Sequence, residues 1–330
     1  MPHKTFPLEI TLDKCTNAQY AYGLRTASSA SWGTAMAHIQ IDEIGVRSVL
    51  VPQKQRGGSF MDYTLNPYVG CGMGCAYCYV MKFPFAAQHP LPWGAWVQPK
   101  MNAPFLLNKA RALIWGRRVF LGSATDPYQY VERRYRLTRQ CLAILVECNL
   151  SWLMVHTRSH LILDDLDLLR RFGDRLRVGF SIPTDDDRVR KRLEPKAPTI
   201  AVRLKTMQRL RAAGIRVHAS VAPVLYCHPR QFAALLREAA DGVYCDTMAY
   251  VDKTALQALP RAPAYFRSQA YQELVVELQA CLQEVGLLAK VPPHGRGIIA
   301  TLAPRWASRW VVAAAEPRPD LVAAHLPAGE

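Results

Sequence analysis

Residues 198–224 read "PTIAVRLKTMQRLRAAGIRVHASVAPV". Pro198 and Thr199 open a run with helical spacing, as an N-terminal cap should, and Gly214 closes it. Residues 215–222 then alternate β-branched and small side chains, which is a strand signal. A helix that delivers the chain directly into a strand is half of a βαβ unit. The fold depends on how often that unit recurs.

It recurs along most of the chain. Strand-like runs stand at 67–71, 118–123, 152–157, 176–182, 215–222 and 242–248, and helical patterns fill 102–115, 132–149, 164–172, 198–213 and 229–240. This alternation predicts parallel pairing through right-handed crossovers. The expected fold class is α/β, a partial (β/α)6 TIM-type barrel of parallel strands with N- and C-terminal extensions, short of a closed (β/α)8. Residues 1–60 read as an N-terminal extension of no assignable role, 61–250 as the core, and 251–330 as a C-terminal extension that helps to shape a substrate pocket. Chemistry in such a fold belongs at the C-terminal ends of the strands. Polar segments fall there: "SATD" (123–126), "HTRS" (156–159) and "SIPTDDD" (181–187).

Composition narrows the class. Half of the 330 residues are hydrophobic and 20% are charged, which excludes a disordered chain. No apolar run is long enough to span a membrane, and "MPHKTFPLEITLDKC" lacks a signal-peptide pattern, so a cytoplasmic location is expected. In a reducing compartment clustered cysteines favour metal binding or catalysis over disulfides. Lys and Arg number 41 against 26 Asp and Glu, a net charge of +15. Basic groups crowd into 132–139, 170–177 and 188–196. Such runs suit a polyanion or a phosphorylated small molecule, and equally suit solvated outer helix faces.

Three of the nine cysteines fall in "NPYVGCGMGCAYCYV" (66–80), at Cys71, Cys75 and Cys78. A structural zinc needs four ligands, which here would require Cys227, Cys245 or His89 to supply the fourth. A cubane iron–sulfur cluster held by three thiolates instead leaves one iron open to a substrate or cofactor. Cys141 and Cys148, seven apart on one helical pattern, read as core. Cys15 and Cys281 show no pattern.

The C-x3-C-x2-C spacing, with Tyr77 just before the last cysteine, resembles the signature of radical S-adenosylmethionine (SAM) enzymes. "GSATDPYQYVERRYRLTR", "HTRSHLILDDLDLL" and "RLEPKAPTIAVRLKTMQRLRAAGIRVHASVAPV" look more specifically like the spore photoproduct lyase-like branch. The likeness runs over roughly residues 66–225. It implies a 4Fe-4S cluster on Cys71, Cys75 and Cys78, with S-adenosyl-L-methionine chelated to the open iron. Reductive cleavage would release a 5′-deoxyadenosyl radical, which abstracts hydrogen from substrate. The electron would come from a donor such as flavodoxin or ferredoxin.

Carried over position by position, Tyr77 would lie against the SAM adenine and Tyr79 beside it. Thr125, Asp126 and Ser181 would occupy polar SAM-contacting positions. Arg158 stands where the branch commonly has a lysine, and could pair with the SAM carboxylate. The plainer readings are an N-cap for Asp126, a surface charge for Arg158 and a helix-end residue for Glu194.

One departure bears on the reaction. The DNA-repairing lyases carry a hydrogen-donating cysteine just upstream of the Thr-Asp pair, where this chain has Ser123, whose O–H bond is too strong for that task. Cys245 or Cys227 would have to replace it, with Cys245 the preferred candidate against a core reading for either. The expected function is hydrogen abstraction from an anionic or hydroxylated substrate, such as a nucleotide, a sugar or a biosynthetic intermediate. Epimerisation or a redox-neutral rearrangement is favoured within that class. The alternatives are a photoproduct lyase-like repair enzyme and a nucleic-acid-binding protein with a structural metal.

Overall fold

The structure, a computed structural model, describes residues 39–53, 61–248 and 251–287. Cys15 and the expected C-terminal extension past residue 287 lie outside them, as does most of the N-terminal extension.

The chain is mixed α/β. Its larger sheet runs through β2 (Leu50–Pro52), β3 (Tyr63–Leu65), β6 (Arg118–Leu121), β7 (Trp152–Thr157), β8 (Leu176–Ser181), β9 (Val217–Val221) and β10 (Gly242–Cys245). From β3 to β10 all neighbours are parallel and in chain order; only β2 is antiparallel, at the edge. Same-handed crossovers between consecutive neighbours put every connecting helix on one face of the sheet. This is consistent with the partial barrel expected from the sequence.

The first strand is not where the sequence pattern put it. The sheet begins its parallel run with Tyr63–Leu65, too short to show a period of two. The run at 67–71 instead forms β4 (Tyr68–Gly70), which pairs antiparallel with β5 (Trp96–Pro99) in a separate small sheet completed by β1 (Gln40–Ile41). Pro67 marks the break between the two sheets. It has no N–H for a ladder, and its carbonyl accepts from Lys100 on the small-sheet side at 3.0 Å. The expected helix 132–149 is likewise broken at Arg136, whose φ of 51° separates Glu132–Tyr135 from Leu137–Val146.

Period-two alternation divides the large sheet by face. Leu121, Val155, Val178 and Val217 lie in register across four strands, all buried. They share one core cluster with Leu142, Leu169, Met207 and Phe232 from the covering helices. The opposite face carries His156, Gly179 and His218, also in register.

Both imidazoles are held neutral: burial, then the charge of Arg158, lowers His156 to about 4. Burial, then His156 and Arg177, lowers His218 to about 3. In the unfolded chain each titrates near 6.5. Below that pH the unfolded state binds more protons than the folded one, so the fold loses stability as pH falls from about 6.5 towards 4. A His156→Gln/His218→Gln double variant is expected to show a shallower fall of Tm over this interval than the parent. Thermal melts at a series of pH values check it, and parallel curves would contradict it.

Candidate active site: a three-thiol loop tied to a buried arginine and glutamate

The cysteine loop leaves β4 through Gly70, whose φ of +76° places it against the indole of Trp96. A Cβ there would come within 2.6 Å of the ring. Further on, Gly74 (φ +61°) meets Gly94 (φ +94°) so closely that a Cβ on Gly94 would stand 2.6 Å from the Gly74 Cα. Both residues occupy left-handed backbone that a side chain strains. Gly94→Ala is therefore expected to cost about 2 kcal/mol or more, and to lower iron uptake with it, because Gly74 lies between Cys71 and Cys75. A melt combined with iron content after anaerobic reconstitution checks both.

Two side chains from the segment after β6 fix the loop. Thr125 Oγ1 donates to the Gly70 carbonyl at 2.6 Å, and Gln129 Oε1 accepts from the Gly72 N–H at 2.8 Å. Gln129 Nε2 closes the triangle onto Thr125 Oγ1 at 2.9 Å. From the far side the Ala76 N–H donates to the Leu193 carbonyl at 2.9 Å. The sequence reading found Thr125 but missed Gln129, although its i+4 spacing in "TDPYQ" was the available signal.

The three thiols are close enough to affect one another. Burial pushes Cys78 up to about 11, with the neighbouring Cys71 adding to it. Burial is also the first cause that raises Cys71 and Cys75. Cys75 Sγ accepts from Arg158 Nη1 at 2.7 Å. The same Nη1 reaches Glu194 Oε1 at 2.6 Å and Tyr77 Oη at 3.0 Å.

Glu194, at the C-terminus of the helix Asp187–Leu193, is fully buried. It accepts from Tyr77 Oη and Arg203 Nη2 as well. Burial alone would raise its carboxyl pKa; the charges of Arg203 and Arg158 outweigh that and hold it below the ordinary range. So Arg158 is no surface charge and Glu194 no mere helix end. Both corrections have one reason: Arg158 and Glu194, 36 residues apart, compensate one another once folded, and Arg203 joins them from the following helix.

Asp126 is not the helix N-cap that the plainer reading made it, since the next helix starts at Glu132 behind Val131; its carboxylate instead accepts from the Tyr128 N–H at 2.9 Å within a turn. It does more, binding Thr157 Oγ1 at 2.6 Å and the Arg158 N–H at 3.0 Å, and so ties the exits of two strands together. Tyr79 is half-exposed and donates to the Ser123 carbonyl at 3.1 Å, while Ser123 Oγ accepts from Asn66 at 3.0 Å. Ser181, last residue of β8, gives its carbonyl to Arg203 at 3.2 Å. The expected SAM-contacting residues thus gather at the C-terminal ends of the parallel strands, around the loop.

The other cysteines do not. Cys245 pairs with Val221, the register of the helix-facing layer, and is buried near Tyr271. Cys227 is buried near Cys245, Glu277 and Cys281, the last two on the helix Gln269–Glu284. The expectation that Cys245 opens towards the site is therefore corrected by strand parity: it shares the face of Val243. His89 stacks on Trp96 at 3.8 Å between ring centroids. Cys141 and Cys148 are buried, as expected of core positions.

Three thiols suit an iron–sulfur cluster. Three thiolates on one loop are the number that holds an iron–sulfur cluster with one iron left open, whereas a structural zinc takes four protein ligands. A buried guanidinium on Cys75 Sγ also favours sulfur that carries negative charge.

Behind the loop opens a cleft of about 530 Å³, lined by Met73, Gln129, Arg133, Ser159 and Lys196 among others. The basic runs are less free than their count suggests. Arg139 pairs with Asp165 and Asp167, Arg171 with Glu147, Arg188 with Asp186 and Arg190 with Asp187. Among the described residues no helix is long and apolar enough to cross a membrane.

Comparisons with known proteins agree with this geometry. An uncharacterized protein of Methanocaldococcus jannaschii is 30% identical over 187 residues, 57% of this chain and 68% of that one. An uncharacterized protein of Mycobacterium bovis is 32% identical over 169 residues, and this alignment spans about half of each chain, 49%. Among solved structures, a spore photoproduct lyase variant with bound AdoMet and dinucleoside spore photoproduct superposes with a TM-score of 0.54. It has 15% identity, over 74% of this chain and 79% of that one. A spore photoproduct lyase complexed with dinucleoside spore photoproduct gives 0.52 at 15% identity, over 69% and 68%. At that identity the likeness is one of fold. The Radical SAM superfamily profile matches residues 65–239, more than half the chain, with the cysteine loop and the ends of β6 to β9 among them, and the protein belongs to that superfamily of enzymes.

Proposed function

We propose that the chain binds a 4Fe-4S cluster through Cys71, Cys75 and Cys78 and uses it with S-adenosyl-L-methionine to abstract hydrogen from an anionic or hydroxylated substrate, at the mouth of a partial (β/α)6 barrel formed by residues 61–250. The observation that carries this reading is the three-thiol loop, held against Arg158 at the exits of parallel strands, in a chain of this superfamily. When bound, cluster and SAM together supply a 5′-deoxyadenosyl radical.

The protein's own residues position and exclude. Thr125 and Gln129 hold the loop backbone still. Arg158 supplies fixed positive charge beside Cys75 and, from that place, a partner for the SAM carboxylate. Tyr77 and Glu194 orient that guanidinium, which gives Tyr77 a positioning role in addition to its place beside SAM. On this reading Tyr79, Asp126 and Ser181 supply the remaining polar contacts to SAM. An electron donor such as flavodoxin or ferredoxin, both acidic proteins, suits the cleft behind the loop with its Arg133 and Lys196.

A lyase-like repair reaction is the second reading. The fold likeness to spore photoproduct lyase and the net charge of +15 favour it. Ser123, engaged by Asn66 where a hydrogen donor would be needed, disfavours it. Cys245 on the helix-facing side removes the support for an epimerase that uses that thiol.

Anaerobic reconstitution tests the main reading. About four irons per chain, with 5′-deoxyadenosine formed from SAM and dithionite, is the expected result. One zinc per chain and no SAM cleavage would replace it with a binding module. Direct reversal of a thymine photoproduct in an oligonucleotide would move the assignment to the repair reading.

A further inference from the structure

The face of the large sheet turned away from its helices carries two imidazoles side by side. His156 of β7 and His218 of β9 flank Gly179 of β8 in register. A Cβ at position 179 would stand 2.7 Å from His218 Nε2 and 3.1 Å from His156 Cδ2. Only glycine lets both rings lie over the middle strand. Phe120 of β6 sets its ring 6.0 Å from that of His156, on the other side.

His156 is half-buried, and its Nε2 is shielded from solvent with no hydrogen-bond partner. A buried ring nitrogen without a partner is unfavourable in the empty protein, and satisfying it is worth binding energy to whatever enters. His156 also stands two residues before Arg158, which touches Cys75. Alternate residues of an extended strand lie about 6.6 Å apart on one face. The pair of rings is therefore one side-chain repeat away from the guanidinium beside the cluster ligands, deeper in the sheet than the charged rim.

We propose that His156 and His218 hold the uncharged hydrogen-bonding part of the substrate, an amide- or imide-type group, while any anionic part stays at the arginine-bearing rim. This rests on the reading of the site given above. Neutral imidazoles both donate and accept, which matches the N–H and C=O edge of such a group, whereas a phosphate would use only their donors and meet no charge there. Phe120 supplies an aromatic wall beside the same position.

Ligand-observed saturation-transfer NMR on the cluster-loaded, SAM-bound protein tests it, with succinimide as the probe and N-methylsuccinimide, which lacks the N–H, as the control. Succinimide is expected to bind and the control to bind about tenfold more weakly. His156→Phe and His218→Phe should each lose about tenfold in succinimide affinity, while His156→Gln, which restores a donor and an acceptor, stays within about threefold. A crystal of the unaltered protein soaked with succinimide should place the imide against both rings. No binding to the parent, equal binding of the control, phenylalanine variants that bind like the parent, or density elsewhere each overturns the proposal. SAM cleavage is followed on the same preparations. Cleavage without succinimide binding defeats the histidine pair alone, and absence of cleavage in the parent defeats the radical SAM reading whatever the probe does.

Discussion

Glu194→Ala is expected to be the most damaging single change outside the cysteines, at a cost of about 3–5 kcal/mol in folding stability. The carboxylate is fully buried and sits between two guanidinium groups, Arg203 at its Oε2 and Arg158 at its Oε1. Arg203 is itself fully buried. Removing the glutamate strands that positive charge in the protein interior and leaves the hydroxyl of Tyr77 without its acceptor. Burying a charge without its partner costs far more than the intact pair contributes. Glu194→Gln keeps the shape and should lie between the two. Chemical denaturation of the metal-free protein measures it. An alanine variant within about 1 kcal/mol of the parent would mean that the network adds little to the fold.

Cys71→Ser should behave in the opposite way, with a nearly normal fold and a lost centre. The thiol is buried, and burial keeps it in the neutral form, so a hydroxyl of similar size is expected to change stability by only about 1 kcal/mol. Outer partners of metal ligands commonly matter 10–100-fold for affinity, and a ligand itself at least as much. Iron retained after desalting should therefore fall by about 100-fold, with 5′-deoxyadenosine formation falling alongside. The same substitution at Cys141, buried on the helix Leu137–Val146, should leave iron content unchanged. Equal iron in the Cys71 variant and the parent would remove the loop from consideration as the cluster site.

Much of the fold was legible because helices and strands announce themselves by period. The helix at 198–213 is Ile200–Ala212, with Thr199 Oγ1 accepting from the Val202 N–H and Gly214 in left-handed backbone, as its caps foretold. The first strand was not legible, since three residues cannot display alternation and the apolar "PYVGC" beside it could. In the site, the cysteines, Thr125 and Asp126 stood in local patterns. Glu194 had none: its partners are Tyr77, Arg158 and Arg203, 117, 36 and 9 residues away, and only the folded chain brings them together. Cys245 shows the reverse error. Its parity with Val243 was readable in "GVYC" and indicated the packed side of the strand.

The tether of Gly70 and Gly72 to Thr125 and Gln129 separates two events that small zinc domains merge. In those domains the metal is what organises the peptide, and stripping it unravels the chain. Here the nest is shaped by hydrogen bonds that contain no metal, beneath a sheet with its own apolar interior. On the proposed reading, assembly of the inorganic centre would follow folding, and loss of iron would leave the loop in place to be loaded again.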